Sequence, residues 1–407
     1  QAISEADVAD FTHPLIADPT EAVSNAYFAT VKAALCNYGG ECGDSSPITY
    51  TPLHGVGAPY VERMFAEFQL PGFVPVASQM APDPEFPTVV FPNPEEGRAT
   101  WAESFAAATA AGATICVAND PDADRLAAAE MPAGGTAESD WRSFSGNEIG
   151  ALLAHWTWTQ WKARNPGKDP GSVAMLASAV SSKMLAAMAA EEGFVFRETL
   201  TGFKWLGNIA KDLEAEGLEV LFAFEEAIGF MFGAVHKDKD GVAAAAVFAE
   251  MAAQISAQHN GRTVAQHLDW LYGQYGYHAG RASYFVADSP AASKAVFERL
   301  RQEGYPPSIG PLLVESVRDL GVGIDTGLPG GKPTLPWTPG DMMITFRLAG
   351  GAELTLRASG TEPKLKYYLE VRAEDRNEAE ATAAAVAAAV WVDLVSATPG
   401  LNDQSRD

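Results

Sequence analysis

The chain has 407 residues, 47% apolar and 20% charged, with 37 glycines and 26 prolines spread along its length. These are ordinary globular proportions with room for roughly two to four domains of about 150 residues, and they exclude a low-complexity chain. The formal charge of −24, with no run among the 28 Lys and Arg, excludes a general nucleic-acid surface, because a phosphate backbone needs clustered cations.

Residues 1–19, QAISEADVADFTHPLIADP, carry acids and prolines without periodicity and read as a tail or linker. NAYFATVKAAL then spaces Tyr27 or Phe28, Val31 and Leu35 on one helical face. SPITYTPLHGVG is a strand running into a glycine turn in which His54 reads as structural, PYVERMFAEF resumes helical spacing, and TICVA is the next strand. The alternation predicts an α/β unit over 20–142 with a mostly parallel sheet.

A second α/β unit is expected over 143–277. GNEIGALLAHWTWTQW is helical, SVAMLASAVSS is a strand reaching a Ser-rich helix cap, and SKMLAAMAAEEG is a helix closed by Gly193. LEVLFAFEEAIG is a strand entering a charged turn, and KDKDGVAAAAVFAEMAAQISAQHNG is a long helix ending near Asn260 and Gly261. From 278 the segments ASYFVAD, DMMITFRLAG, AELTLRASG and KLKYYLEV alternate apolar and polar positions, as half-exposed antiparallel strands do, and EAEATAAAVAAAVWVDLV closes the chain as a helix. The expected fold class is α/β: two successive mixed or parallel α/β sandwich domains, then a smaller α+β C-terminal domain over 278–407.

Cys36, Cys42 and Cys116 are too few for a disulfide framework and favour a reducing, cytoplasmic setting. The longest apolar runs, VAAAAVFA and AVAAAVWV, are interrupted at Glu250 and Asp393, short of the ~18 residues a membrane helix needs.

The chemistry concentrates in a few loops. Asp120, Asp122 and Asp124 of NDPDADR follow a strand at its C-terminal end, where open α/β sheets place ligands, and three hard oxygen donors at alternate positions suit Mg²⁺. An EF-hand would need Gly and Glu where Arg125 and Met131 stand. A solvated acidic loop is the plain alternative, although carboxylates this close repel one another and favour a cation. Arg125 suits a phosphoryl oxygen or a simple ion pair.

RASGTEPK offers Arg357, Ser359, Gly360, Thr361 and Lys364 as a phosphate cradle, or else an ordinary Ser/Gly turn. Glu225 and Glu226 at a strand end would accept hydrogen bonds from sugar hydroxyls, or form an exposed turn. Lys239 would meet an anionic group or move a proton, or belong to a solvated charge cluster. TGFKW is a loop feeding the helix KWLGNIAKDLEAEG, in which Lys204 and the aromatic would touch a sugar phosphate, with Trp205 equally suited to core packing.

Together these motifs resemble the α-D-phosphohexomutase superfamily: NDPDADR is similar to its metal loop, EEAIG to its sugar-recognition loop and RASGTEPK to its phosphate-binding loop, in the family's order. PLHGVG, PDPEFPTVVFPNPEEG, TGFKWLGN and SGTEPKLKYY are most similar to the branch of type-2 phosphoglucomutases, which act as phosphopentomutases, and glucose-1,6-bisphosphate synthases. The resemblance implies Mg²⁺ on Asp120, Asp122 and Asp124, Arg125 against the phosphoryl group in transfer, Lys239 near the reacting end, Glu225 on sugar hydroxyls, and Arg357, Ser359 and Thr361 on the phosphate that does not react, with Lys204, Glu226, Gly360 and Lys364 as the further substrate-binding candidates of the same loops. It further implies an isomerase of carbohydrate metabolism, acting on pentose or hexose phosphates through a phosphoserine and a bisphosphate, with neither nucleic acid nor membrane as partner. Bisphosphate synthesis, or plain sugar-phosphate binding, is the alternative. Ala227 stands where many hexose-acting members carry Ser, which removes one hydroxyl contact. No serine here stands in the family's Thr-Ala-Ser-His-Asn-Pro setting, so residues 1–19 are expected to end a further domain and these residues alone are not expected to turn over. A haloacid-dehalogenase-like phosphatase also places a DxD loop after a strand, but near the chain start and with Thr or Val following.

Overall fold

A computed structural model describes residues 13, 15–40, 47–95, 97–359 and 363–403. The contacts divide the described chain into two compact units: residues up to Phe144 with Ala234–Val264, and Ser145–Gly233 with the residues from Ala265 onward.

The first unit holds a five-stranded sheet of β1 (Ile48–Thr51), β2 (Val74–Pro75), β3 (Ile115–Asn119), β4 (Leu126–Glu130) and β5 (Arg142–Ser143), in the order β2-β1-β3-β4-β5. β2, β1 and β3 are parallel, while β4 and β5 turn antiparallel, so the sheet is mixed. The helix Thr20–Leu35 buries Phe28, Val31 and Leu35, the face its spacing predicts. The helix Gly241–Gln258 is buried on every side from Gly241 to Ile255 and packs on β3, β4 and the helix Ala58–Glu67, so a segment that follows the second α/β stretch in sequence belongs to the first unit.

The second unit contains two sheets. β6 (Val173–Ser178), β7 (Val195–Thr199), β8 (Glu219–Glu225) and β9 (Gly229–Phe232) run in the order β7-β6-β8-β9, with only β9 antiparallel. β6 is buried throughout, and Phe222, Phe224, Phe230 and Phe232 are fully buried on β8 and β9, each contributing about 2 kcal/mol by removal from water. The helices Gly146–Arg164 and Phe203–Ala215 pack on β8. Ser145 caps the first of these through a reciprocal exchange with Glu148.

The other sheet of this unit comprises β10 (Tyr277–Ala287), β11 (Ser308–Ile309), β12 (Leu312–Asp319), β13 (Ile324–Asp325), β14 (Met343–Leu348), β15 (Ala352–Ala358), β16 (Lys364–Ala373) and β17 (Leu401–Asn402), all antiparallel. One face carries the core of Phe285, Phe346, Leu354, Leu356, Leu365 and Leu369 under the helix Arg376–Val390. The other face is polar, as the two-residue alternation predicts. The helices Ala102–Ala111, Val264–Tyr275 and Pro290–Glu303 were not among the sequence expectations. Among the described residues no helix is long and apolar enough to cross a membrane.

Candidate functional site

In the first unit the β3–β4 connection carries the three aspartates. Asp120 is fully buried, Asp122 exposed and Asp124 half-buried, and one carboxylate oxygen of each lies within 4.8 Å of the others. The arrangement could hold a metal ion. Ala123 sits in the left-handed region with φ 59°, which folds the loop back so that its N–H reaches the Asp120 carbonyl at 2.9 Å.

Two glycines let neighbouring backbone press on this loop. A Cβ on Gly55 would come 2.2 Å from the Pro121 backbone, and one on Gly241 would come 2.3 Å from the Arg125 carbonyl. The PLHGVG turn is thus a support for the aspartate loop. His54 in it is buried and bonds Thr88 Oγ1 at 2.8 Å, the structural role expected of it. Tyr50 adds a second support that sequence reasoning missed: its hydroxyl donates to Asn119 Oδ1 at 2.9 Å, and Asn119 Nδ2 donates to the Arg125 carbonyl at 2.6 Å.

Arg125 folds back onto Asp120, its backbone N–H on Oδ1 at 3.0 Å and its Nε on Oδ2 at 2.6 Å. Lys239 Nζ lies 2.6 Å from Asp124 Oδ2. Burial pushes Asp120 up to about 6, helped by the Asp122 carboxyl that hydrogen-bonds it and opposed by Arg125. This buried carboxyl and one oxygen each from Asp122 and Asp124 make three hard donors that fit a small divalent cation. Burial works against the charge on Lys239, but Asp124 outweighs it and holds the ammonium above its ordinary range. The following Asp240 caps the helix through Ala243 N at 2.9 Å and accepts a hydrogen bond from Tyr27 at 2.7 Å. That bond fixes the Lys239 loop to the helix Thr20–Leu35.

In the second unit Glu225 and Glu226 close β8. Glu225 Oε1 accepts from Gly202 N at 2.6 Å. Glu226 Oε2 accepts from Ser178 Oγ at 3.2 Å and Ser181 Oγ at 3.1 Å, while its own N–H donates to Ser181 Oγ at 2.9 Å. Ile228 completes the turn at φ 52°. Lys204 is exposed on the first turn of the helix Phe203–Ala215, and Trp205 next to it is half-buried.

Arg357 lies on the polar face of β15, and the register sets Lys366 of β16 opposite it. Ser359 N donates to the Lys364 carbonyl at 2.9 Å, and Lys364 Nζ stands 4.5 Å over the Tyr284 ring. Gly360 and Thr361 lie outside the described residues. Tyr368, two residues beyond Lys366 on the same face, links these strands to the acidic turn. Burial pushes its hydroxyl up to about 12, reinforced by the Glu226 carboxylate and opposed by Arg357, which hydrogen-bonds it. Tyr368 and Lys366 went unnoticed in the sequence, although the alternation in KLKYYLEV puts both on the face of Lys364.

Fold and site together define an α/β protein built round an aspartate loop able to hold a metal, with a carboxylate turn and a cationic strand in its second unit. Residues 25–133 match the phosphoglucomutase/phosphomannomutase alpha/beta/alpha domain II, and residues 145–275 match alpha/beta/alpha domain III. The chain is 44% identical over 369 residues to the phosphopentomutase of Homo sapiens, covering 89% of this chain and 59% of that protein. It is likewise 44% identical over 365 residues to the glucose 1,6-bisphosphate synthase of Mus musculus, covering 88% and 58%. Among solved structures, the N-acetylphosphoglucosamine mutase of Aspergillus fumigatus in complex with GlcNAc-6P and magnesium shares the fold with a TM-score of 0.54 at 17% identity, over 90% of this chain and 70% of that one. The chain belongs to the α-D-phosphohexomutase superfamily. It spans about three fifths of the length of the curated relatives it matches.

Proposed function

We propose that this chain supplies the metal, sugar and distal-phosphate contacts of a phosphosugar mutase of the phosphopentomutase and phosphoglucomutase type. The reaction interconverts a sugar 1-phosphate and the 5- or 6-phosphate through a phosphoserine and a sugar bisphosphate. The observation that carries this reading is the aspartate loop with Arg125 and Lys239 both drawn onto its carboxylates.

Magnesium would be held by Asp120, Asp122 and Asp124, and when bound it offsets charge on a phosphoryl group in transfer. Arg125 commits its Nε to Asp120 and presents its terminal amino groups to a phosphoryl oxygen. Lys239 is a cation held beside the same loop, placed to meet a sugar oxygen or a phosphate as Asp124 turns to the metal. Glu225, held at the end of β8 by the Gly202 N–H, is the carboxylate that would accept from sugar hydroxyls. Arg357, with Ser359, Gly360, Thr361 and Lys364, grips the phosphate that does not react, and Lys204 adds a surface cation. A reducing, cytoplasmic setting accords with the free thiols of Cys36 and Cys116.

Equal identity to a glucose 1,6-bisphosphate synthase favours a second reading, in which the same contacts serve bisphosphate synthesis. Calorimetric titration tests the common core. Ribose 5-phosphate or glucose 6-phosphate is expected to bind more tightly with Mg²⁺ than without, and Arg357→Ala to weaken binding by about tenfold or more. Absence of any Mg²⁺-dependent binding of either sugar phosphate overturns the proposal.

A further inference from the structure

Residues 178–183 join β6 to the helix Met184–Glu192, and their polar groups reach two different places in the second unit. On one side the Ser178 and Ser181 hydroxyls, buried and 2.7 Å apart, both hold Glu226 Oε2, and Ser181 also receives the Glu226 N–H. On the other side Lys183 Nζ lies 3.1 Å from Glu353 Oε1 on β15 and 2.9 Å from Glu198 Oε1 on β7, while Lys183 N donates to Glu370 Oε1 on β16 at 2.7 Å. Arg318 of β12 closes on the same Glu198. Between the two attachments, Lys183 Nζ also caps the Ala179 carbonyl at 3.0 Å, and Ser182 takes Asn147 Oδ1 on its backbone N–H at 2.8 Å.

The segment therefore connects the Glu225–Glu226 turn to the strands that flank Arg357. Glu353 and Arg357 stand four residues apart on one face of β15, and Glu353 is paired across the sheet with Glu370. We propose that residues 178–183 are a strut that sets the span between the acidic turn and Arg357, and with it the length of sugar phosphate that both ends can hold at once. Ser181 and Lys183 are positioning residues. The inference rests on the function proposed above. A pentose phosphate and a hexose phosphate differ by one carbon between their hydroxyls and their phosphate, and a rigid span discriminates between them where a loose one does not.

The test is the ratio of dissociation constants for ribose 5-phosphate and glucose 6-phosphate, measured by titration calorimetry with Mg²⁺ on the unsubstituted chain and on Ser181→Ala and Glu353→Gln. The unsubstituted protein is expected to prefer one of the two. Each variant should bring the ratio toward one by about fivefold, the scale of a single lost hydrogen bond. If Ser181→Ala does not fold, Ser178→Ala removes one bond of the same latch and carries the same expectation. Equal losses on both ligands with an unchanged ratio overturn the strut, as does an unsubstituted protein that binds both alike. Binding of neither ligand by the unsubstituted protein overturns the proposed function and the strut with it.

Discussion

The Lys239 ammonium stands 2.6 Å from Asp124 Oδ2, on one of the three carboxylates able to hold a metal ion. Cation and metal compete for that carboxylate. Lys239→Met is therefore expected to tighten Mg²⁺ binding by about fivefold, the scale of one partly exposed ion pair, while weakening sugar-phosphate binding. Calorimetry with Mg²⁺ alone and then with glucose 6-phosphate separates the two effects; weaker Mg²⁺ binding in the variant would contradict the competition.

Asp120 sets a pH limit on the same site. Its carboxyl titrates at about 6 because it is buried, so a metal arriving below that pH must displace a proton. Mg²⁺ affinity is expected to be level above pH 7 and to fall by up to about tenfold per unit below pH 6. Asp120→Asn should abolish binding at every pH. Titrations from pH 5 to 8 check this, and a flat profile across that range refutes it.

Gly55→Ala places a methyl against the Pro121 backbone, which cannot step aside as a flexible side chain would. The expected cost is about 2 kcal/mol of stability. Because the displaced backbone carries Asp120 and Asp122, Mg²⁺ affinity should fall in the same variant. Chemical denaturation and metal titration on one sample test both; a stable variant with full affinity would show that the contact is not restrictive.

Glu198 lies between Lys183 and Arg318. Burial alone would raise its pKa, but the two cations outweigh burial and hold it at about 2, against an ordinary 4.5. A carboxylate lowered in the fold stabilises above its unfolded value, and the contribution is lost as pH falls from 4.5 toward 2. Glu198→Gln should cost about 3 kcal/mol at pH 7, since it leaves the buried Arg318 and the half-buried Lys183 each short of a partner. The gap to the unsubstituted protein should narrow in that acid window. Melting curves at pH 7, 5 and 3 measure it, and a gap that stays constant with pH would count against the assignment.

Much of this architecture was legible in the sequence. NDPDADR puts three carboxylates close together after a strand, and the structure brings one oxygen of each within 4.8 Å of the others, while the alternation in AELTLRASG places Arg357 on a polar sheet face. The geometry that holds these residues was not legible. Ser181 and Glu226 are 45 residues apart, and Lys183 and Glu370 are 187 apart, so no local pattern joins them. Ala123 and Ile228 take left-handed backbone where Gly or Asn would have been the visible signal. AESFAAATAA gave no apolar stripe from which to read the helix Ala102–Ala111, because alanine marks no face.

The return of Ala234–Val264 to the first unit has a bearing on inheritance. A recombination event that carried residues up to Phe144 as one cassette would bring the three aspartates but leave behind Lys239 and the helix that covers β3 and β4. Such a transplant would arrive with bare apolar strands and an acidic loop stripped of its counter-charge. A transplant that keeps the acidic loop with its counter-charge has to carry both stretches of this discontinuous unit.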